Sequence, residues 1–452
     1  MSRTPEQPLP ARSSLVPPTR PSASAAELAA PPESDAGQAP GAASSEAETT
    51  RELLAQGGAH LLGNYRQAPV VFRRGEGSTL FDTTGKAYLD FAAGVAVNAL
   101  GHAHPALVAT IARQAAKLMH VSNYFYNEEN VLLAAELAAK TGYPRVFFCN
   151  SGAEANEAAF KLVRRHYYAK GDAQRFTFLS FDHSFHGRTL ATVTLTGNAS
   201  YSEGFGPKLE GVVHLPFGDL DAVRAAMGPH VAGIFVEPVQ GEGGVLPAPE
   251  GFLAGLRALA DEHGALLVFD EVQTGIGRTG KLLGSEHDGV RADVVTLAKG
   301  LGGGFPIGAM LVREELASSL PPGTHGSTFG GNALASAAAR TVLRVLEEEG
   351  LIAAAAEKGA KRSAMLSELA ARHPDLCSGE RGRGLLRGVV LKPGIDARLA
   401  LGLARERGLL LTIAGGTVLR FTPPLVVTEA ELEEGVRRLD EALRALRVEL
   451  AL

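Results

Sequence analysis

Three groups of residues stand directly behind short apolar runs, where a strand would deliver each of them to one edge of a sheet. Lys299 follows Val294 to Leu297, Asp270 follows Ala265 to Phe269, and Asn150-Ser151-Gly152-Ala153-Glu154-Ala155 follows Arg145 to Cys149. A lysine at the end of a buried strand loses hydration, which lowers its pKa and makes its amine a nucleophile for Schiff-base formation. Gly300 and Gly302 to Gly304 let backbone pass close to a bulky ligand there. An aspartate closing an apolar strand must find a cation or donors, since an unpaired buried carboxylate is very costly. Small residues at a strand-to-helix turn expose N–H groups at the positive end of a helix, a site for phosphate. Each feature has an ordinary structural reading: a solvent-seeking lysine, a strand-end aspartate, a serine N-cap. Together they are the protein groups that pyridoxal 5'-phosphate requires.

The elements that must position these residues alternate along the chain. Arg145 to Cys149, Phe176 to Phe181, Val231 to Val236, Ala265 to Phe269 and Val294 to Leu297 read as buried strands with helical segments between them. That alternation predicts an α/β fold with a mostly parallel sheet covered on both faces. Ahead of it, Leu80 to Asp82 and Tyr88 to Phe91 flank Thr-Thr-Gly-Lys as a hairpin, and helical spacing covers Pro105 to Lys117 and Val131 to Lys140. Beyond about residue 335 the chain turns to long Ala, Leu, Glu and Arg helices around strands at Gly388 to Leu391 and Thr417 to Phe421. A large domain over 101–335 and a smaller α+β domain over 336–452 suit the length.

Composition narrows the class. The chain has 452 residues, and its 44 Lys plus Arg against 49 Asp plus Glu leave no basic excess to bind a nucleic-acid backbone. Cys149 and Cys377 form no paired motif, which fits a reducing compartment. No apolar run is long enough for a membrane span. Residues 1–50 hold 9 of the 25 Pro and no aromatic residue, and are expected to form a disordered tail. Arg3, Arg12 and Arg20 hint at a transit peptide, but the prolines and Glu6 and Glu27 oppose it.

Two decoys compete. Gly275-Ile276-Gly277-Arg278-Thr279-Gly280 matches a dinucleotide fingerprint and keeps a nicotinamide-dependent oxidoreductase open as the alternative class. The helix it needs is broken by Gly280 and Gly284. His102, His104, His183 and His186 lack acidic or cysteine partners at ligand spacing, so no metal site is expected.

Eight ordered motifs, from Arg74-Gly-Glu-Gly-Ser through Asn-Ser-Gly-Ala-Glu-Ala-Asn, Ser-Phe-His-Gly-Arg, Glu-Pro-Val-Gln-Gly-Glu-Gly-Gly, Asp-Glu-Val-Gln-Thr-Gly, Leu-Ala-Lys-Gly and Gly-Ser-Thr-Phe-Gly-Gly-Asn to Leu-Arg-Phe-Thr-Pro-Pro-Leu, carry a resemblance. The chain resembles the class III, pyridoxal-phosphate-dependent aminotransferases, and within them those acting on acylated ornithine. The resemblance runs from about Gly63 to the C-terminus. It implies a fold type I transferase, with residues 51–100 forming the N-terminal part of the small domain, working in the cytoplasm as a homodimer with shared active sites. It implies that Ser151, Gly152 and Ala153 hold the phosphate, Phe185 and Val272 cover the ring faces, Asp270 meets the ring nitrogen, Gln273 approaches the ring hydroxyl and Lys299 is the Schiff-base lysine. Ser327 and Thr328 would reach the neighbouring subunit's site, Thr328 at the phosphate. Arg188 would take the substrate carboxylate and Arg420 the α-carboxylate of glutamate or 2-oxoglutarate. Glu242 would neutralise Arg420 while the amine donor is bound.

The implied reaction moves the δ-amino group of N2-acetyl-L-ornithine to 2-oxoglutarate, giving N-acetyl-L-glutamate 5-semialdehyde and L-glutamate in arginine biosynthesis. Succinylornithine and succinyl-diaminopimelate share the acylamino carboxylate end and stay open as donors. Val95 stands where free-ornithine relatives have a Tyr, which favours an acylated substrate.

Overall fold

A computed structural model describes residues 42–452. Residues 1–41, most of the expected tail, lie outside the described residues. The expected boundary at residue 50 is corrected: a helix over Ala42–His60 already begins inside that stretch, where Ala and Glu, both good helix formers, replace proline.

A hairpin-built sheet opens the rest of the chain, with β1 (Phe72–Glu76), β2 (Thr79–Asp82) and β3 (Ala87–Asp90) antiparallel in order. The central sheet takes β4 (Arg145–Cys149), β5 (Thr177–Phe181), β6 (Val212–Leu215) and β7 (Val231–Val236). After a two-stranded ribbon of β8 (Val239–Gln240) and β9 (Leu246–Pro247), it adds β10 (Leu266–Asp270), β11 (Val294–Leu297) and β12 (Gly308–Val312). Its seven strands run in the order β4-β12-β11-β10-β7-β5-β6. Every pairing is parallel except those of β12, which is antiparallel to both β4 and β11. The β5, β7, β11 and β12 strands are buried at every position, so both faces must be covered and the runs read as continuously apolar.

Helices supply that cover. The helix Gly152–Ala169 starts at Ser151, whose Oγ accepts from the Glu154 N–H, and turns Ala155, Ala158, Ala159, Leu162 and Val163 inward. Ala333–Glu348 starts at Asn332 in the same way and packs its buried face against Pro105–Lys117 and Glu128–Thr141.

The C-terminal part contains β13 (Cys377–Arg383), β14 (Leu386–Leu391), β15 (Leu409–Leu410), β16 (Thr412–Ala414) and β17 (Val418–Phe421). Four of these form the sheet β13-β14-β17-β16, with the long helix Leu351–Arg372 packed on β13 and β14, and Glu429–Glu449 packed in turn on that helix and on Ala397–Glu406. The β15 strand instead pairs in parallel with β3, Leu409 opposite Leu89, so chain on both sides of the central sheet shares one small sheet.

Candidate active site

Parallel strands that end at one edge of a sheet place their following loops around one crevice. Asp270 is the last residue of β10, Lys299 follows β11, Ser151 to Ala153 follow β4, Phe185 to Arg188 follow β5, and Glu237 follows β7. All of them line one cavity of about 380 Å³, together with Glu242, Val272 and Gln273. Strand alternation separates neighbours here. Asp270 faces the cavity, while buried Glu271 turns away to accept from the Gly284 and Ser285 N–H groups at 2.8 Å each.

Asp270 is held from three sides. Its Oδ2 lies 2.8 Å from His186 Nδ1 and accepts from Asn156 Nδ2 at 2.7 Å, and its Oδ1 accepts from the Val272 N–H at 3.0 Å. Asn156 is fixed in turn, accepting from Thr296 Oγ1 at 2.6 Å and donating to the His186 carbonyl at 2.8 Å. An Asp accepting from His Nδ1 keeps the proton there, leaving Nε2 of the buried ring without a partner among the described residues. A second buried carboxyl, Glu237, accepts from the Phe185 N–H at 3.1 Å. Burial pushes its pKa well above the carboxylate range, and the nearby Asp270 adds to that rise.

Lys299 sits in a left-handed conformation, φ 42°, at the turn out of β11. Burial pushes its ammonium pKa down and Arg420 adds to this, against the pull of Glu242, Asp270 and Glu237. The Arg420 guanidinium is 1% exposed and heavily bonded. Its Nη1 donates to Glu242 Oε1 at 2.5 Å, to the Gly241 carbonyl at 3.0 Å and to Gln273 Oε1 at 3.1 Å, and its Nε donates to Thr412 Oγ1 at 2.9 Å. Burial would raise the Glu242 carboxyl, but Arg420 and Lys299 outweigh it and hold it below its ordinary pKa.

These residues fit pyridoxal phosphate. The N–H groups of Gly152 and Ala153, in the first turn of an 18-residue helix, lack intrahelical acceptors. A Cβ on Gly152 would stand 2.7 Å from Val272 Cγ1, so only glycine leaves this wall open. An amine, a carboxylate and a phosphate cradle thus converge on one cavity.

The fingerprint-like Gly275–Gly280 segment follows β10 but forms turns and opens no helix. Its glycines pack against protein: a Cβ on Gly275 would meet the Glu271 carbonyl at 2.8 Å, and one on Gly280 would meet Ala356 at 2.7 Å. Two expected site residues lie elsewhere. Ser327 and Thr328 line a separate groove with Tyr124 and Tyr126, although Ser327 Oγ accepts from Asn150 Nδ2 at 3.3 Å. Val95 does not line the cavity; Val97 does. Asn156, His186 and Glu237 carry no role in the sequence reading, although each stands within a quoted motif or next to a named residue. Their signal was a polar side chain at a strand or helix end that must be buried.

The model of the family Aminotransferase class-III matches residues 62–443. The chain is 52% identical to "Acetylornithine aminotransferase" of Myxococcus xanthus over 397 residues, covering 87% of this chain and 98% of that protein. It is 46% identical over 388 residues to "Acetylornithine/succinyldiaminopimelate aminotransferase" of Photorhabdus laumondii, covering 85% of this chain and 96% of that one. Among solved structures, the ornithine aminotransferase of Toxoplasma gondii superposes with a TM-score of 0.86 at 35% identity, covering 88% of this chain and 96% of that one. The N-acetylornithine aminotransferase of Stenotrophomonas maltophilia gives 0.76 at 39% identity, covering 88% and 100%.

Proposed function

This chain belongs to the class-III aminotransferases, which use pyridoxal phosphate, and from that premise we propose that it transfers the δ-amino group of N2-acetyl-L-ornithine to 2-oxoglutarate. The products are N-acetyl-L-glutamate 5-semialdehyde and L-glutamate, a step of arginine biosynthesis in the cytoplasm. The observation that carries the reading is the closed Arg420–Glu242 pair beside an accessible Arg188. One arginine is masked and one is free, as a site alternating between an ω-amine donor and a dicarboxylate requires.

The cofactor, when bound, supplies an electron sink that lets the carbon bearing the amine lose a proton. The protein does the rest. Gly152 and Ala153 hold the phosphate through N–H groups, with Ser151 at the same turn. Phe185 and Val272 confine the ring, Gln273 meets its hydroxyl, and Asp270, oriented by His186 and Asn156, keeps its nitrogen protonated. Lys299 would hold the cofactor through Nζ, and the same amine would carry the proton taken from the substrate carbon that bears the amine. Arg188 binds the donor's α-carboxylate in bidentate geometry. Arg420 binds the α-carboxylate of 2-oxoglutarate after Glu242 withdraws.

Ser327 and Thr328 serve the neighbouring subunit. The groove they line carries Tyr124 and Tyr126 at 92% and 94% exposure, and Phe125 and Phe329, their chain neighbours, are 70% and 58% exposed, a large aromatic face for one chain to leave in water. A second copy laid on that face would complete both sites.

A single-turnover amine panel read by cofactor absorbance tests the reading. Acetylornithine should react fastest, ahead of succinylornithine, succinyl-diaminopimelate, ornithine and 4-aminobutyrate, and borohydride should lock the chromophore onto the peptide containing Lys299. Ornithine reacting as fast as acetylornithine would remove the acylated donor from the proposal.

A further inference from the structure

The two arginines of the site are fixed by different physics. Arg420 is bonded by carbonyl, carboxylate, amide and hydroxyl acceptors. Arg188 lines the cavity with an exposed side chain, and among the described residues no acceptor takes any of its N–H groups. Its contacts are rings. The guanidinium carbon lies 4.0 Å from the ring centroid of Tyr201 and 5.7 Å from that of Phe185. Those two rings meet edge to face, with centroids 5.8 Å apart and planes at 88°.

A carboxylate partner would orient Arg188 but would also occupy its donor edge and cancel its charge. An aromatic face holds the guanidinium through the ring quadrupole and leaves the N–H edge free for an incoming carboxylate. Tyr201 itself is anchored apart from the Arg188 loop. It closes a short turn over Ala199–Tyr201, where Asn198 Oδ1 accepts from the Ser200 N–H at 3.1 Å and from Ser200 Oγ at 2.8 Å.

We propose that Tyr201 is a positioning residue for the amine donor: its ring fixes the Arg188 guanidinium in the orientation that takes the α-carboxylate of an N-acylated diamino acid. This rests on the reading of Arg188 given above. 2-Oxoglutarate brings a second carboxylate into the same cavity, beyond the one assigned to Arg420, and Arg188 is the unbonded arginine that lines it, so acceptor binding shares this dependence. Carboxylate binding is thus set partly by a residue outside the cavity lining.

The test uses holoenzyme carrying Tyr201→Leu, Tyr201→Phe or Arg188→Gln, with each half-reaction followed in single turnover. Calorimetric binding of Nα-acetyl-L-norvaline, which has the acyl group and α-carboxylate but no δ-amine, supplies a readout without turnover. Tyr201→Leu should weaken acetylornithine and norvaline-analogue binding about two- to fivefold, the range of an exposed cation–π contact, at unchanged saturating rate. An unchanged saturating rate and unchanged cofactor absorbance also show that the site has folded. Tyr201→Phe keeps the ring face and should match the parent chain in both half-reactions. Unchanged binding with a lowered saturating rate in Tyr201→Leu would overturn the proposal, as would Tyr201→Phe failing like Tyr201→Leu, since the hydroxyl would then carry the effect. Normal donor binding by Tyr201→Leu with weak binding by Arg188→Gln would overturn the role of Tyr201 alone. Normal binding by Arg188→Gln would remove the reading of Arg188, and the role of Tyr201 with it.

Discussion

Glu237 and Asp270 are buried carboxyls facing one cavity, and one of them must carry the cost of being charged. Burial first, and Asp270 second, push the Glu237 pKa upward, so the folded protein keeps a proton that the unfolded chain releases. A carboxyl raised in this way contributes stability that is complete below its unfolded pKa and is lost as pH rises through its folded value. Glu237→Gln, which cannot titrate, should therefore flatten the fall in thermal midpoint as pH rises above the ordinary carboxylate range; midpoints measured across that range, against the parent chain, check it. An unchanged slope would place the loss at another group. The Glu242 carboxylate behaves in the opposite sense, being held charged by Arg420 and Lys299 against burial. Glu242→Ala should leave Arg420 unmasked, lowering kcat/KM for acetylornithine by about tenfold, or 1.4 kcal/mol, while the 2-oxoglutarate half-reaction is preserved. Separate half-reaction rates decide it, and equal rates in both would deny Glu242 a gating role. Lys299, Asp270 and the Ser151 to Ala153 turn were legible in the chain itself, since each is a chemically distinctive group immediately behind an apolar run. Asn156 and His186 were not, because their importance is their contact with Asp270, 114 and 84 residues away.

At the scale of elements, a short stretch just ahead of the cavity-lining Val97 holds an unfavourable conformation. Ala93, Gly94, Val95 and Ala96 all have positive φ, from 44° to 64°. The turn is held by Asp90, whose Oδ1 accepts from the Ala92 and Ala93 N–H groups, and by Thr422, whose Oγ1 donates to the Ala92 carbonyl. A β-branched residue is badly placed in this region, and the strain is of order 1 to 3 kcal/mol. Val95→Gly should relieve it and raise the thermal midpoint, whereas a lower midpoint would show that Val95 packing outweighs the strain. The central strands β5, β7, β10 and β11 were visible as apolar runs because they are buried on both faces, only Leu266 at the start of β10 being half-buried, whereas the edge strand β4 shows an apolar run after exposed Arg145 with Val146 and Phe147 half-buried. The β12 strand escaped notice: Gly308-Ala309-Met310 has little β-branched character and follows Pro306, yet it is buried between β4 and β11. The β13 strand, with two Gly and three charged residues in seven, gives no strand pattern at all, and only its pairing with β14 makes it one.

At the scale of the molecule, the proposed dimer across the exposed aromatic groove around Thr328 would make oligomeric state a condition of activity. Tyr126→Glu should break a dimer seated on this face, because it puts a charge into a contact that must exclude water. Sedimentation should then show monomers, and those monomers should retain pyridoxal phosphate more weakly, since the proposed phosphate contact from Thr328 comes from the second copy. A Tyr126→Glu protein that remains dimeric would place the interface elsewhere. Among the described residues no helix is long and apolar enough to cross a membrane.

The amino-acid sequence by itself determined the class of chemistry, because a strand-to-helix turn of small residues, a strand-end aspartate and a strand-end lysine are local features that strand and turn patterns display without reference to neighbours. It also determined the alternating strand and helix plan, since burial on both faces writes itself into continuous apolar runs. Tertiary structure decided which of those features meet. Strand order brings β7, β10 and β11 side by side and so sets Glu237 beside Asp270 and Lys299; the same folding seats Tyr201 under Arg188 and turns Thr328 outward. Contacts of that kind depend on through-space neighbours far apart in the chain, and no local periodicity encodes them.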